Sequence, residues 1–277
     1  MKLYLGVWNL KHARNAPHFM YSLRRLKERI SSVPFENLDW IMDSGAFSEI
    51  NLNGKYTFTP DEYLRYVELH QPPLFFNMDF MCEPFVLQKT GLTVKQHQEK
   101  TIENQIKIME LLDNYHIKGS FSGCIQGWQL SDYLNHIDML KERGLILSKM
   151  GVGSICRRNS KTKILEILRA VKQELPNTKL HGFGIKTDIL KEPMIYECLD
   201  SCDSMAWSFS GRKANPKPCS NCEYPNAKNC ANCYRYMLIW YNRLQKVHDL
   251  TIKQKTLGIY EDYRCVKTSA CPKSTSP

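Results

Sequence analysis

Long apolar runs are missing from this sequence: no stretch approaches the ~20 residues of a membrane span, so an integral membrane protein is not expected. The opening MKLYLGVWNL is too short, and too soon interrupted by polar residues, to act as a secretory leader. A soluble, cytoplasmic protein is the expectation. Internal repeats of fixed period and low-complexity tracts are also lacking, and the 277 residues suffice for one large core. Acidic residues are in short supply, with 28 Asp and Glu against 38 Lys and Arg, giving a formal charge of +10. Such an excess favours a polyanionic partner, since each neutralised phosphate releases counterions. Nucleic acid is the expected class, although basic surfaces also serve solubility.

Cysteine is the exception to this sparseness. In an intracellular chain, eleven cysteines read as reduced thiols or metal ligands rather than as a disulfide framework. Four of them form Cys219-x2-Cys222-x7-Cys230-x2-Cys233. Each C-x-x-C grips one ion from a tight turn, and two such turns complete a tetrahedron. The pattern predicts a structural zinc (Zn2+) knuckle, with His248 able to replace one thiol. Incidental thiols are the bland alternative. A redox pair is another, but redox C-x-x-C motifs usually open a helix after a strand.

Short apolar runs ending in Gly, Asp or Ser alternate with amphipathic stretches. The runs are Leu3–Trp8, Asp39–Asp43, Leu74–Asp79, Ser120–Gln126, Leu147–Gly153, Lys179–Gly184 and Cys202–Ser208. Helical spacing appears over Pro60–Leu69, Val94–Tyr115, Leu130–Arg143, Lys161–Leu175 and Thr187–Leu199. Strand alternating with helix implies parallel βαβ units and an α/β fold. A TIM-type (β/α)8 barrel is the natural closure, with a doubly wound open sheet as the alternative. The polar residues favour the barrel. Asp43, Asp79, Gln126, Gly153, Gly184 and Asp203 all end different strands, and in a barrel those ends converge on one mouth. The expected organisation is a catalytic barrel core over 1–212, a zinc-binding segment over 213–260 with a long helix to about Lys255, and a frayed tail over 261–277. The helix carries an aromatic stripe (Tyr234, Tyr236, Trp240, Tyr241) that reads more simply as core than as a base-stacking platform.

Six motifs in order carry a resemblance. They are Asp43-Ser44-Gly45-Ala46-Phe47, Asp79 after FFNM, Gly123-Cys124-Ile125-Gln126-Gly127, Gly151-Val152-Gly153-Ser154, His181-Gly182-Phe183-Gly184, and Asp203 leading to Ser210-Gly211-Arg212. With the cysteine cluster behind them, they resemble the tRNA-guanine transglycosylase family from about Asp39 to His248. That family exchanges a guanine in a polynucleotide for a 7-deazaguanine without cutting the backbone. The resemblance implies that Asp203 attacks the anomeric carbon and that Asp43 carries the proton, as two carboxylates do in retaining glycosidases. It further implies that Asp79 and Gln126 hold the polar edge of the purine. Gly153 and Ser154 would contact its far side, Phe47 would stack on one face, and His181 would cover the other. The extruded base needs such an aromatic-walled pocket.

Each residue also has a plainer reading. Asp43 and Asp203 could cap helices, and Asp200 competes for the nucleophile's role. Gln126 could be a satisfied core amide, and Phe47 and His181 ordinary core. Arg157 and Arg158 could hold phosphate or lie on a solvated face.

The departures from the family pattern bear on substrate. Trp207-Ser208-Phe209 replaces the P-T-R before Ser210-Gly211-Arg212, removing an arginine that reads the anticodon loop in the tRNA enzymes. Ser154 replaces a glutamate linked to an aminomethyl arm, so a neutral base such as preQ0 suits better. These differences resemble the DNA-modifying branch, in a bacterial cell or phage-infected host, and DNA ranks above tRNA. A non-catalytic zinc-containing nucleic-acid binder and a small-nucleoside hydrolase are the rival classes. The sequence leaves open a homodimer.

Overall fold

Eight parallel strands follow one another round a closed ring in the computed structural model, which describes residues 1–214, 218–246 and 249. The strands are β1 (Lys2–Val7), β2 (Phe19–Ser22), β3 (Trp40–Asp43), β4 (Leu74–Phe76), β5 (Ser120–Ile125), β6 (Lys149–Val152), β7 (Lys179–Gly182) and β8 (Ser201–Ser204). Ring closure is made by β8 pairing with β1, with Tyr4 opposite Asp203. Helices α1 (Leu10–Asn15), α2 (Ala46–Asn53), α3 (Pro60–His70), α4 (Pro84–Thr90), α5 (Val94–Leu111), α6 (Leu130–Glu142), α7 (Lys161–Glu174), α8 (Ile195–Cys198) and α9 (Ala206–Lys213) link them. A tenth helix, α10, occupies 234–246. None of the described helices is long and apolar enough to cross a membrane.

Local chemistry accounts for the helix starts. Thr59 and Thr93 open α3 and α5 with reciprocal capping boxes to Glu62 and Gln96, and Pro60 takes the first turn of α3, where its missing N–H costs nothing. The apolar faces of the helices then cover the strands. Tyr63, Leu64 and Val67 of α3 and Ile164, Leu168 and Val171 of α7 are buried, each such side chain contributing about 1.5–3 kcal/mol. Trp207 is fully buried and donates its indole N–H to the Gly6 carbonyl at 2.9 Å, fastening α9 to β1.

The structure adds one strand to the seven read from sequence and moves some boundaries. β2, Phe-Met-Tyr-Ser, is four residues long and runs straight into the 3-10 turn at Leu23–Arg25, so no loop marks its end in the sequence. The run Cys202–Ser208 leaves the sheet at Ser204, and its second half is the first turn of α9. The helix expected over Thr187–Leu199 is instead a 3-10 turn at Ile189–Lys191 followed by the single turn of α8. Pro193 explains this, since it has no N–H to continue the ladder.

Residues of the cysteine segment belong to the barrel's own core: Cys219, Cys230, Cys233, Tyr236, Met237 and Trp240 pack in the same cluster as the strands and outer helices. Tyr234 and Tyr241 lean on it partly buried, so the aromatic stripe is core. The readings for His248, the helix end near Lys255 and the 261–277 tail lie outside the described residues.

Candidate active site

Side chains alternate in and out along each strand, so one parity fills the barrel. Tyr4, Met20, Ile41, Phe76 and Cys124, one from each of β1 to β5, form a buried interior layer. Two residues further on, the same parity reaches the mouth with Gly6, Ser22, Asp43, Gln126, Gly153, Phe183 and Asp203. All seven line one cavity of about 330 Å³. Asp79, Phe47, Ser154 and Gly184 line it as well. The volume lies at the small end of the range for ligand sites.

His181 is the sequence-picked residue that does not line this cavity. Its parity puts it one layer down, where its ring packs 4.9 Å from Phe76 and 5.1 Å from Phe183. Its Nε2 lies 3.3 Å from Asp203 Oδ1 and its Nδ1 2.9 Å from Ser201 Oγ. It supports Asp203 from below instead of covering a base. With the Ser201 hydroxyl donating to Nδ1, Nε2–H is free to donate to the carboxylate. The Gly184 N–H also donates to Oδ1, at 2.9 Å, from a backbone with φ +62 that glycine adopts without strain. Both bonds fall on Oδ1. Asp200 is excluded from this role: it precedes β8 at the opposite end of the barrel, exposed and accepting the Leu180 N–H at 3.0 Å.

Asp43 sits on the same cavity, half-buried. Burial pushes its carboxyl up to about 6, assisted by repulsion from Asp203 and opposed by hydrogen bonds from Ser22 and the Gly45 N–H. Both carboxyls line this one cavity. Asp79 is raised further, to about 7, by burial, then by Asp43 and Glu83, against a hydrogen bond from Gln126. Gln126 is fully buried and donates its amide N–H to Asp79 Oδ2. A Cβ on Gly153 would stand 2.0 Å from that amide nitrogen, so only glycine leaves Gln126 its place.

Phe47 stands in the wall with the Arg157 guanidinium 4.9 Å from its ring centroid, a cation–π contact at the rim. Arg158 does something else. It is buried, stacks at 4.1 Å on Trp128, and donates to the carbonyls of Ser154 and Trp128, so it braces the loop and is not a phosphate ligand. The sequence reading missed Glu83, a fourth cavity-lining carboxyl only 1% exposed. Burial raises it above the ordinary glutamate value. Its signal was weak: it lies past the end of β4, in a Cys-Glu-Pro sequence that reads as a helix start.

Outside the mouth, the four cysteines of the 219–233 segment lie near one another. The Cys222 and Cys230 sulfurs are 3.8 Å apart, and Cys233 hydrogen-bonds with Cys219 and Cys222. Burial pushes the Cys233 thiol up, but N–H groups of Glu223, Tyr236 and Arg235 and the Cys222 thiol outweigh it and hold it below its ordinary value. Even so, no group of three or more His, Cys, Asp or Glu among the described residues converges as a metal-binding set.

A closed parallel barrel with acidic side chains converging on its C-terminal mouth defines a (β/α)8 enzyme scaffold, and the ordered motifs on it are those of the tRNA-guanine transglycosylase family. A family model described as DpdA, DeoxyPurine in DNA protein A, matches residues 1–274. The chain belongs to that family, the DNA 7-deazaguanine transglycosylase branch. Membership implies guanine modification in DNA by a transglycosylase-type enzyme. No curated protein matches the chain.

Proposed function

We propose that the protein replaces guanine in DNA with a 7-deazaguanine such as preQ0 through a covalent aspartyl–sugar intermediate. One observation carries the reading: Asp43 and Asp203 share a cavity whose wall also holds Phe47 and the Asp79–Gln126 pair. Asp203 Oδ2 bonds to C1′ as the C1′–N9 bond to guanine breaks, and Asp43 gives its proton to the departing base. The incoming base then attacks C1′ through its own N9, Asp43 takes that N9 proton, and the Asp203 carboxylate is released. A carboxyl near 6 suits a group that must both give and accept a proton close to neutrality. His181 and Gly184 hold the nucleophile from one side, so its rotamer is set before substrate arrives. Ribosyl-type transfer at a deoxysugar needs no redox partner.

The test is incubation with labelled preQ0 and either guanine-containing DNA or tRNA. Label should enter DNA, and entry into neither polymer would remove the reading. Entry into tRNA alone would redirect it to the tRNA branch. The Cys219, Cys222, Cys230 and Cys233 thiols, with S···S spacing at Cys222–Cys230 suited to a tetrahedral site, would hold a structural zinc. Bound there, it would tie the segment shut and supply no open coordination position. Purified protein should then contain about one zinc per chain, and chelation should lower Tm by several degrees. Full stability after complete metal removal would discard the knuckle.

A further inference from the structure

Glu83 has no part in the reaction just described, yet the hydrogen-bond count around it is informative. Ser154 Oγ accepts the Cys82 N–H at 2.7 Å and lies 2.7 Å from Gln126 Oε1 and 3.0 Å from Glu83 Oε2. A hydroxyl has one proton, so it cannot donate to both oxygens. Gln126 in turn donates its N–H to Asp79. The four side chains form one line, Asp79–Gln126–Ser154–Glu83, and with both ends ionised it is one proton short.

The missing proton has two places to go. With the amide oriented as it stands, Ser154 donates to Gln126 and Glu83 must be the acid that donates to Ser154. With the amide turned over, Gln126 donates to Ser154, Ser154 donates to Glu83, and Asp79 must be the acid. Amide orientation follows from the network, so the ligand decides. A guanine-type base presents N–H donors along the edge that Asp79 and Gln126 would hold. That edge needs an acceptor, so with a base bound Asp79 is the ionised end.

We propose that Glu83 carries the single proton this line requires, and that the neutral acid makes its wall select an incoming base without a cationic arm. The inference rests on the base-exchange reading: the hydrogen bonds leave the line one proton short, and the guanine-type base decides which end carries it. Glu83 is almost wholly buried, and no cation forms an ion pair with it among the described residues. The groups that face it are Cys82 on its own loop, Cys156 and Arg158 from the loop after β6, Tyr133 of α6, and Asp79 after β4. Hydrogen bonds from its own N–H, Ser154 and Cys156 and the Arg158 charge favour ionisation, but burial outweighs them, and the Arg158 guanidinium is committed to two carbonyls. An ammonium group brought against a neutral acid here would be desolvated without a partner. A nitrile carries no charge and meets no such penalty.

The proton can be read without activity. With guanine bound, infrared difference spectra at neutral pH should show the carbonyl stretch of a protonated carboxylic acid that disappears in Glu83→Gln and survives in Asp79→Asn. Its loss in Asp79→Asn instead, or its absence from the unsubstituted protein, overturns the assignment. If Glu83→Gln does not fold, Ser154→Ala, which leaves Glu83 in place, should shift the same band. Selection is read by competing preQ0 against its aminomethyl counterpart for insertion into DNA. The nitrile base should win by at least about tenfold. That preference should narrow as rising pH ionises Glu83 and stay constant with pH in Glu83→Gln. A preference for the aminomethyl base in the unsubstituted protein overturns the selection claim. Insertion of neither base, with the infrared band present, would remove the base-exchange reading and leave the proton assignment standing.

Discussion

The two ends of the barrel treat the same side chain in opposite ways. Asp39 and Asp43 bracket β3, four residues apart. At the N-terminal end, Asp39 meets Lys2 at 2.5 Å and His18 at 2.8 Å. Burial pulls its carboxyl upward, but the Lys2 ammonium, the Tyr4 hydroxyl and His18 outweigh it and hold it below the ordinary value. At the C-terminal end, Asp43 has no such cation and is pushed up to about 6. β8 repeats the contrast with Asp200, exposed and 3.9 Å from Lys172, and Asp203, buried against His181. One end spends carboxylates on holding strands together. The other strips them of counter-charges and keeps them reactive, the division expected of this fold.

That contrast can be broken by substitution. The largest effect is expected at β8. Asp203→Asn should lower base insertion by on the order of 10³-fold or more and abolish the covalent DNA adduct on a denaturing gel, whereas Asp200→Asn should change the rate by less than about threefold. Full activity in Asp203→Ala would end the comparison. At β3, Asp43→Asn should slow insertion by roughly 10²–10⁴-fold and let the adduct accumulate, since the first bond can form but the proton cannot be carried. Its partner Asp39→Asn should leave the rate alone and cost at most about 1 kcal/mol in urea denaturation, as the Lys2 pair is part-exposed.

A subtler prediction concerns pH. The raised carboxyls of Asp43 and Asp79 are charged more readily in the unfolded chain, so their contribution to stability is present below the ordinary range near 4. It is lost as pH climbs through about 6 and about 7. Asp39, lowered, contributes above its ordinary value and loses that contribution as pH falls. Urea midpoints should therefore drop between about pH 4 and pH 7, and Asp79→Asn should flatten that drop by on the order of 2–4 kcal/mol. An unchanged slope in Asp79→Asn would show that the mouth is as well solvated as the base of the barrel.

Much of this was legible in the sequence because a parallel barrel places function at a fixed point of a simple pattern. An apolar run that stops at Asp, Gln or Gly marks a strand end, and Asp43, Gln126, Gly153 and Asp203 were found that way. Reading failed where position depends on more than the strand's end. His181 lies two residues inside the mouth, and only the pleat, counted from Asp203's opposite number on β1, shows that it faces inward one layer down. Glu83 reaches the cavity from a loop, where neither period 2 nor period 3.6 applies. Ser154 looked like the loss of a glutamate. In space a carboxyl from another loop stands 3.0 Å from it, a substitution across the fold that a linear motif does not register.

Closing the ring between β1 and β8 ties the chemistry to a strand far away in sequence. Tyr4 pairs with Asp203, so the nucleophile's strand has neighbours on both sides only after the opening hexapeptide has been recruited from about 200 residues away. A chain emerging from the ribosome would thus be inert until β8 arrives to pair with β1. Any tag or deletion that perturbs Lys2–Val7 should silence the enzyme while leaving the mouth residues themselves untouched.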